Sequence, residues 1–234
     1  MKKYFSLLLL LILLIGCGEI SPKGDLVVTD QTVEPFTSVE LEGNFKVFFV
    51  KNNENLISIE TTKNLTRNLK INSSNGTLKI VEKRPTKDAD FYQVTLFVSQ
   101  YPKEIKLSKG VEFTVSGDLK TDEFILTTQD ESKFIGHIIS RAAKLDLQGL
   151  SRANLAGESK DVQIKLKDTA QIIAPYWNIK DLSMSLSNQS YLEVHVKDSL
   201  KGDVMDTSKL LFYNDPIKAF KKASTARTEN QILD

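Results

Sequence analysis

The chain has 234 residues, of which 41% are hydrophobic, and its 31 basic side chains almost balance its 30 acidic ones. This balance argues against a nucleic-acid-binding protein, since such proteins carry a basic excess on one face. A single cysteine excludes an intramolecular disulfide, so a chain of this length must be stabilised by core packing in one or two domains.

The first segment in chain order is an apolar run behind two lysines. It reads "MKKYFSLLLLLILLIGC", with an unbroken apolar stretch from Leu7 to Ile15. This stretch is shorter than the roughly 20 residues of a transmembrane helix and is typical of a signal peptide. Its last four residues, "LIGC", resemble the bacterial lipobox, which implies a lipoprotein signal peptide over residues 1–16 and a lipidated Cys17. The lipid would hold the protein on a membrane.

Residues 17–35 are rich in proline, glycine and scattered charge, and this composition predicts a flexible, lipidated tether. From residue 36 to residue 101 apolar residues alternate with polar ones, which indicates β-strands. We interpret this region as an N-terminal β-meander. Within it, Asn75-Gly76 predicts a tight hairpin, because a type I′ turn needs positive φ at both central residues.

A repeat of about 19 residues extends over residues 102–215. A small residue recurs, and two positions before it stands a residue that favours a turn; two positions after it stands an apolar residue. We place the small residue at Val111, Ser132, Ala153, Ala170, Ser190 and Ser208, and the turn residue at Lys109, Asp130, Ser151, Asp168, Asn188 and Asp206.

This pattern predicts an all-β fold in which the N-terminal β-meander caps a parallel β-solenoid of about six rungs. A rung of this length cannot bury its apolar residues alone, so the rungs must stack. Residues 216–234 are expected to form a C-terminal cap and tail, because an exposed strand edge needs cover. An antiparallel sandwich with evenly spaced strands is the alternative.

At this point the chain resembles a known family, the putative auto-transporter adhesin head GIN domain lipoproteins of Bacteroidetes. The likeness spans about residues 36–228, and "GNFKVFFVK", "NGTLKI", "LQGLSRANLAG" and "LLFYNDP" match best. Most corner glycines of that family are Asp, Asn or Ala in this chain, which makes it a divergent member. The resemblance implies no catalytic or ligand-binding residues.

The candidate chemical motifs are weak. "GLSRA" around Ser151 approaches the nucleophile-elbow pattern but occupies a repeat corner with no helix after it. His137 and His195 share a repeat column, yet three rungs of about 4.8 Å separate them, too far to ligate one metal ion. The corner aspartates lack the glycine-rich nonapeptide of calcium-binding β-rolls. We therefore predict no catalytic residue, no metal site and no cofactor.

The segment "APYWN" places Tyr176 and the only tryptophan, Trp177, between rungs. Aromatic side chains stack on sugars and on partner side chains, so Tyr176 and Trp177 are a candidate binding surface. The alternative is that Trp177 packs down as a lid on the solenoid.

Together these features predict a membrane-anchored lipoprotein of the bacterial cell envelope, held in the outer membrane on its periplasmic or surface side. It would act as a binding, adhesion or scaffolding module whose partner is an envelope glycan or another envelope protein. The alternative function is a carbohydrate-active β-helix enzyme, either a lyase or a hydrolase.

Overall fold

The computed structural model describes residues 18–232, whose regular secondary structure is almost entirely β-strand. The predicted signal peptide and Cys17 lie outside the described residues. One short helix, α1, spans Lys63–Thr66. The strands are β1 Leu26–Thr32, β2 Ser38–Glu42, β3 Lys46–Lys51, β4 Leu56–Thr62, β5 Leu69–Ser74, β6 Thr77–Glu82, β7 Gln93–Val98, β8 Glu104–Ser108, β9 Glu112–Thr128, β10 Lys133–Leu147, β11 Arg152–Leu166, β12 Gln171–Leu186, β13 Tyr191–Val204, β14 Lys209–Tyr213, β15 Ile217–Lys222 and β16 Arg227–Gln231.

From β8 onward the chain winds as a parallel solenoid. The first half of β9 pairs with β3 and its second half pairs with β8, so this 17-residue strand serves two sides of the stack. The strands β10 to β13 repeat this arrangement, each pairing in parallel with the strand before it and the strand after it. The predicted all-β solenoid is therefore confirmed, and the sandwich alternative is not.

Six successive rungs turn at a corner residue with a left-handed backbone, where φ lies between 55° and 75°. Asp and Asn tolerate this conformation better than most residues. Their side chains bond to neighbouring rungs. Asp130 Oδ2 accepts a hydrogen bond from the Lys109 N–H at 3.0 Å, and Asp206 Oδ2 accepts one from the Asn188 N–H at 2.8 Å. The corner residues are Lys109, Asp130, Gly149, Asp168, Asn188 and Asp206.

The corner column corrects the predicted register in one rung. Arg152 pairs with Lys133 and with Gln171, so Ser151 is the inward small residue and Gly149 is the corner. The sequence assignment placed Ala153 and Ser151 in these columns, two residues too late. A slip of two residues keeps every side chain on the same face of a strand, and the apolar pattern therefore could not reveal it.

The N-terminal strands are present as predicted, but they pair out of sequence order. β2 lies between β6 and β8, and β3 lies between β7 and β9, all in parallel. The rung formed by β2 and β3 therefore lies between the rung of β6 and β7, which come later in the chain, and the rung of β8 and β9, where the regular repeat begins. β5 and β6 form the predicted hairpin, with φ of 52° at Asn75 and 71° at Gly76.

The second half of the predicted tether is ordered. β1 pairs with β4 in seven antiparallel positions, from Leu26 opposite Thr62 to Thr32 opposite Leu56. The Arg84 guanidinium donates to the Gly18 carbonyl, which attaches the start of the described chain as well. The flexible tether predicted from composition is wrong for this part, because β1 is held by backbone pairing with β4, which composition does not reveal.

The C-terminal segment adds a final rung that ends the core. β15 pairs with β13 and β16 pairs with β14, both in parallel. At two inward positions an apolar residue gives way to a polar one: Lys218 follows Leu200, and Asn230 follows Phe212. Inward charges on an edge strand disfavour pairing with another chain. Within residues 18–232, no helix is both long and apolar enough to cross a membrane.

Candidate binding surface

The solenoid has two broad outward faces, which differ in chemistry. We call the outer side of the strand segments that follow the corners the front face; it runs from β7 through β3 and the first half of β9 to β16. The outer side of the segments that precede the corners is the back face, which runs from β6 through β2 and β8 to β15. Each face offers a flat array of side chains about 4.8 Å apart from rung to rung.

Ion pairs between rungs cover part of the back face. Glu40 lies between Lys79 at 3.3 Å and Lys106 at 3.2 Å, and Lys165 lies 3.6 Å from Asp146. The hydrogen bond from Lys106 is the main reason that the pKa of Glu40 lies below its usual value. Such solvated pairs contribute little stability, so the back face is an ordinary polar surface.

The front face instead exposes apolar side chains in its central row. Ile135 is 46% exposed, and Phe48, Ile173 and Leu211 are partly exposed. These four apolar side chains alternate with polar ones along the row, and such a mixed surface resembles that of many protein interfaces. In rung order the row consists of Thr95, Phe48, Thr114, Ile135, Asn154, Ile173, Glu193, Leu211 and Glu229.

Of the two aromatic residues predicted to bind, Tyr176 lies at the surface and Trp177 lies in the core. Tyr176 is 69% exposed on the front face, whereas Trp177 is 0% exposed, and its Nε1–H donates to the Ser159 hydroxyl at 3.1 Å. Strand pairing shifts register between Ala174 and Asn178. The prediction of Trp177 as part of a binding surface is therefore wrong, and Tyr176 remains a candidate.

Pro175 directly precedes Tyr176 and Trp177 in the irregular segment of β12. Proline has no N–H to donate to the neighbouring strand, so it is found in strands mainly at edges and bulges. A bulge adds a residue and interrupts the alternation of side chains. Pro175 and Tyr176 both point outward as a result, and Trp177 then points into the core.

Two tyrosines and a glutamate form a hydrogen-bonded cluster at the C-terminal end of the front face. The Tyr191 hydroxyl donates to Glu193 Oε2 at 3.0 Å, and the Tyr213 hydroxyl donates to Glu193 Oε1 at 2.8 Å. Burial, together with the charge of Glu193, raises the pKa of both tyrosines to about 12. Tyr176 is exposed on β12, the strand that pairs with β13, which carries Tyr191 and Glu193.

Sequence reasoning missed Tyr191, Glu193 and Tyr213 as site residues. The repeat did indicate that these side chains point outward: Tyr191 and Glu193 are one and three residues after the inward Ser190. Tyr213 is in register with His195 on the adjacent rung. What the sequence lacks is the side-chain geometry that brings both hydroxyls to one carboxylate.

The two histidines lie apart, as their spacing predicts. His195 Nδ1 lies 2.8 Å from Asn178 Oδ1, and His137 Nδ1 lies 3.0 Å from Asp118 Oδ1. Burial and, secondarily, the charge of Lys197 lower the pKa of His195. The described part of the chain contains no group of three or more His, Cys, Asp or Glu side chains that could hold a metal ion.

Ser151 has a structural role in the corner. It is fully buried, and its hydroxyl donates to the Gln148 carbonyl at 2.9 Å and accepts from the Thr128 hydroxyl at 3.0 Å. Substrate could not reach this oxygen, and no histidine contacts it. Ser151 therefore belongs to the ladder of small polar residues inside the corners.

Comparison with known proteins gives a consistent result for the fold. The sequence model of one family, described as "Putative auto-transporter adhesin, head GIN domain", matches residues 35–216. No curated protein matches the chain.

Three crystal structures from Bacteroidetes share the architecture. A putative adhesin of Bacteroides fragilis is 13% identical with a TM-score of 0.85, and covers 91% of this chain and 100% of its own. A putative adhesin of Parabacteroides distasonis is 14% identical with a TM-score of 0.76, covering 92% and 100%. A protein of the same species described as a putative lipid binding protein is 12% identical with a TM-score of 0.75, also covering 92% and 100%. At these identities the likeness concerns the fold.

Proposed function

Since the chain belongs to the putative auto-transporter adhesin family with the head GIN domain, we propose that it is a non-catalytic binding module of the bacterial cell envelope, which holds its partner on the front face. The observation that carries this proposal is the set of exposed apolar and aromatic side chains on that face, with Ile135 at 46% and Tyr176 at 69% exposure. The family description and the adhesin-like fold support a binding role.

The contrast between the two faces favours the front face as the contact surface. A charged ladder such as that around Glu40 is well solvated and gains little when it is covered. Covering apolar side chains releases water at about 25 cal/mol per Å². The rigid ladder of parallel strands also fixes these side chains before a partner arrives, which lowers the entropic cost of binding.

Binding is tested with isolated envelopes and the full chain purified in detergent. Ile135→Ser and Tyr176→Ser should each weaken sedimentation with envelopes several-fold, because each removes an exposed contact. Lys144→Ser and Ser183→Asp, exposed positions on the back face, are the matched controls. If all four variants bind like the unsubstituted chain, the front face is not the contact surface.

Membrane attachment through Cys17 is part of the same proposal, and the outer membrane is its expected location. The lipobox-like "LIGC" supports it. Cys17→Ser should abolish labelling by fatty acid and leave the signal peptide uncleaved by the lipoprotein peptidase. Equal labelling of the variant would exclude acylation at this residue.

The enzyme alternative is tested by incubating the full chain with envelope polysaccharides. A lyase would create unsaturated chain ends that absorb ultraviolet light, and a hydrolase would release reducing ends. We expect neither product, and either one would replace the binding proposal by catalysis.

A further inference from the structure

The cluster of Tyr191, Glu193 and Tyr213 presents hydrogen-bond acceptors to the outside. Each tyrosine uses its single hydroxyl proton on one oxygen of Glu193, at 3.0 Å and 2.8 Å. A phenol has only one proton to donate, and an ionised carboxylate has none. What remains for a ligand is a set of lone pairs on four oxygen atoms, and the complementary group must therefore be a donor.

The negative charge of Glu193 is not neutralised within the described residues. None of the ion pairs among residues 18–232 includes it. Glu112, on the same face, instead lies 2.6 Å from Lys133. Glu229 adds a second negative charge whose potential acts on both tyrosines. The cluster is a small acidic site on a face that carries both polar and apolar side chains.

Aromatic side chains lie on the same strands as this charge or on neighbouring ones. Tyr191 and Tyr213 are partly exposed, and Tyr176 is 69% exposed on the bulge of the adjacent strand β12. The face of a tyrosine ring attracts a cation, most strongly where the cation is partly desolvated. Acceptor atoms, unpaired negative charge and aromatic faces therefore all favour the same kind of ligand.

We propose that Glu193, with Tyr191, Tyr213 and Tyr176, forms a recognition site for a lysine or arginine side chain of a partner polypeptide. This inference rests on the proposed function, because it supplies the specific anchor within the front face. Ammonium and guanidinium groups are donors only and carry the complementary charge. A neutral glycan would leave the charge of Glu193 unpaired under the partner, at a desolvation cost.

The direct test follows the tyrosine ring signals of the full chain, labelled with ¹³C-tyrosine, by NMR. The probes are N-acetyl-lysine methylamide and N-acetyl-arginine methylamide, and the uncharged control is N-acetyl-glutamine methylamide. We expect the two cationic probes to shift the signals of Tyr176, Tyr191 and Tyr213, while buried Tyr92 stays unchanged. Equal shifts with the glutamine probe, or with a neutral glucose trisaccharide, would overturn the proposal.

A variant separates the role of the charge from folding. Glu193→Gln keeps one acceptor and the shape of the side chain, so the solenoid should melt as before, but the lysine probe should bind about tenfold more weakly. Glu112→Gln, whose carboxylate is already paired, is the matched control and should change nothing. Unchanged lysine binding by Glu193→Gln would also contradict the site.

The same variants in the envelope assay distinguish the two proposals. If Tyr176→Ser weakens envelope binding but Glu193→Gln does not, the front face binds a partner without a cationic anchor, and only this inference fails. If none of the front-face variants affects envelope binding while the lysine probe still shifts the tyrosines, the site is real and the proposed function fails.

Discussion

At the scale of single residues, the corners show why aspartate can replace glycine in this solenoid. Glycine adopts a left-handed backbone freely, as Gly149 does at 75°. Aspartate adopts this conformation at a small cost in free energy, but its side-chain carboxylate accepts hydrogen bonds from neighbouring rungs. Asp168 Oδ2 accepts from the Gly149 N–H at 3.2 Å, and Asp168 Oδ1 accepts from Asn188 Nδ2 at 2.8 Å. The side chain therefore links three successive rungs.

Substitutions at Asp168 should separate backbone strain from hydrogen bonding. Asp168→Ala loses both bonds and keeps the left-handed strain, for a cost of about 2 kcal/mol in the free energy of unfolding. Asp168→Gly loses the bonds without the strain and should cost about half as much, and Asp168→Asn should cost least. Chemical denaturation measures the order, and an alanine variant as stable as the asparagine variant would contradict this account.

Glu82 should make the stability of the N-terminal region depend on pH. Burial is the main reason that its pKa is raised above the usual 4.5, although its Oε2 accepts from the Asn44 N–H at 3.1 Å. The folded state then holds the proton more tightly than the unfolded state does. This contribution to stability is complete below pH 4.5 and is lost as the pH rises through the raised pKa.

The comparison is with Glu82→Gln, which does not titrate at this position. The melting temperature of the unsubstituted chain, relative to that of the variant, should fall as the pH rises from 4.5 towards neutrality. Thermal melts over this range measure the difference. If the melting temperature of the unsubstituted chain relative to the variant stays constant or rises with pH, then burial does not disfavour the ionised form of Glu82.

At the scale of elements, the bulge in β12 marks the limit of pattern reading. Alternation correctly predicted the strands around it, and the turn residues Asn75-Gly76 correctly predicted the hairpin, because each depends on neighbouring residues alone. The inside–outside order of Tyr176 and Trp177 depends on a register shift against β13, which is a property of two strands. The pairing of β2 between β6 and β8 is non-local in the same sense.

The buried position of Trp177 gives a prediction opposite to that of a surface platform. Because Trp177 is buried, its fluorescence should be blue-shifted and resistant to aqueous quenchers. It is the only tryptophan in the chain, so the whole tryptophan signal reports on this residue. Trp177→Ala should lower the free energy of unfolding by about 3–5 kcal/mol through the cavity and the lost bond to Ser159. Tyr176→Ala, at the exposed neighbour, should leave it nearly unchanged. Equal effects on stability would contradict the assigned bulge.

At the scale of the whole molecule, the sequence predicted the stack from β8 to β14 but not how far it extends. The repeat is readable there because inward positions are apolar and corners favour left-handed residues. β15 and β16 escape it, because their inward positions include Lys218 and Asn230. These polar residues end the core and protect the edge of the sheet. They also interrupt the apolar pattern, so the repeat cannot be recognised in this part of the sequence.

Removal of residues 217–234 should therefore expose a new edge. Leu210 and Phe212 are buried beneath β16, and Lys218 Nζ lies 5.6 Å above the Phe212 ring. We expect the shortened chain to remain folded but to self-associate with rising concentration, because uncovered apolar strands pair with other copies. Light scattering measures this association. A monomeric shortened chain of unchanged melting temperature would show that the last rung is dispensable.

The insertion of β2 and β3 between later strands also makes the molecule mechanically asymmetric. A force pulling at the C-terminal end meets β16, which pairs only with β14, and each following strand loses its outer neighbour in turn. A force pulling at the N-terminal end strips β1 from β4 and then reaches β2, which is held by strands on both sides. We therefore expect the stack under tension to unravel more readily from its C-terminal end than from the end near the proposed anchor.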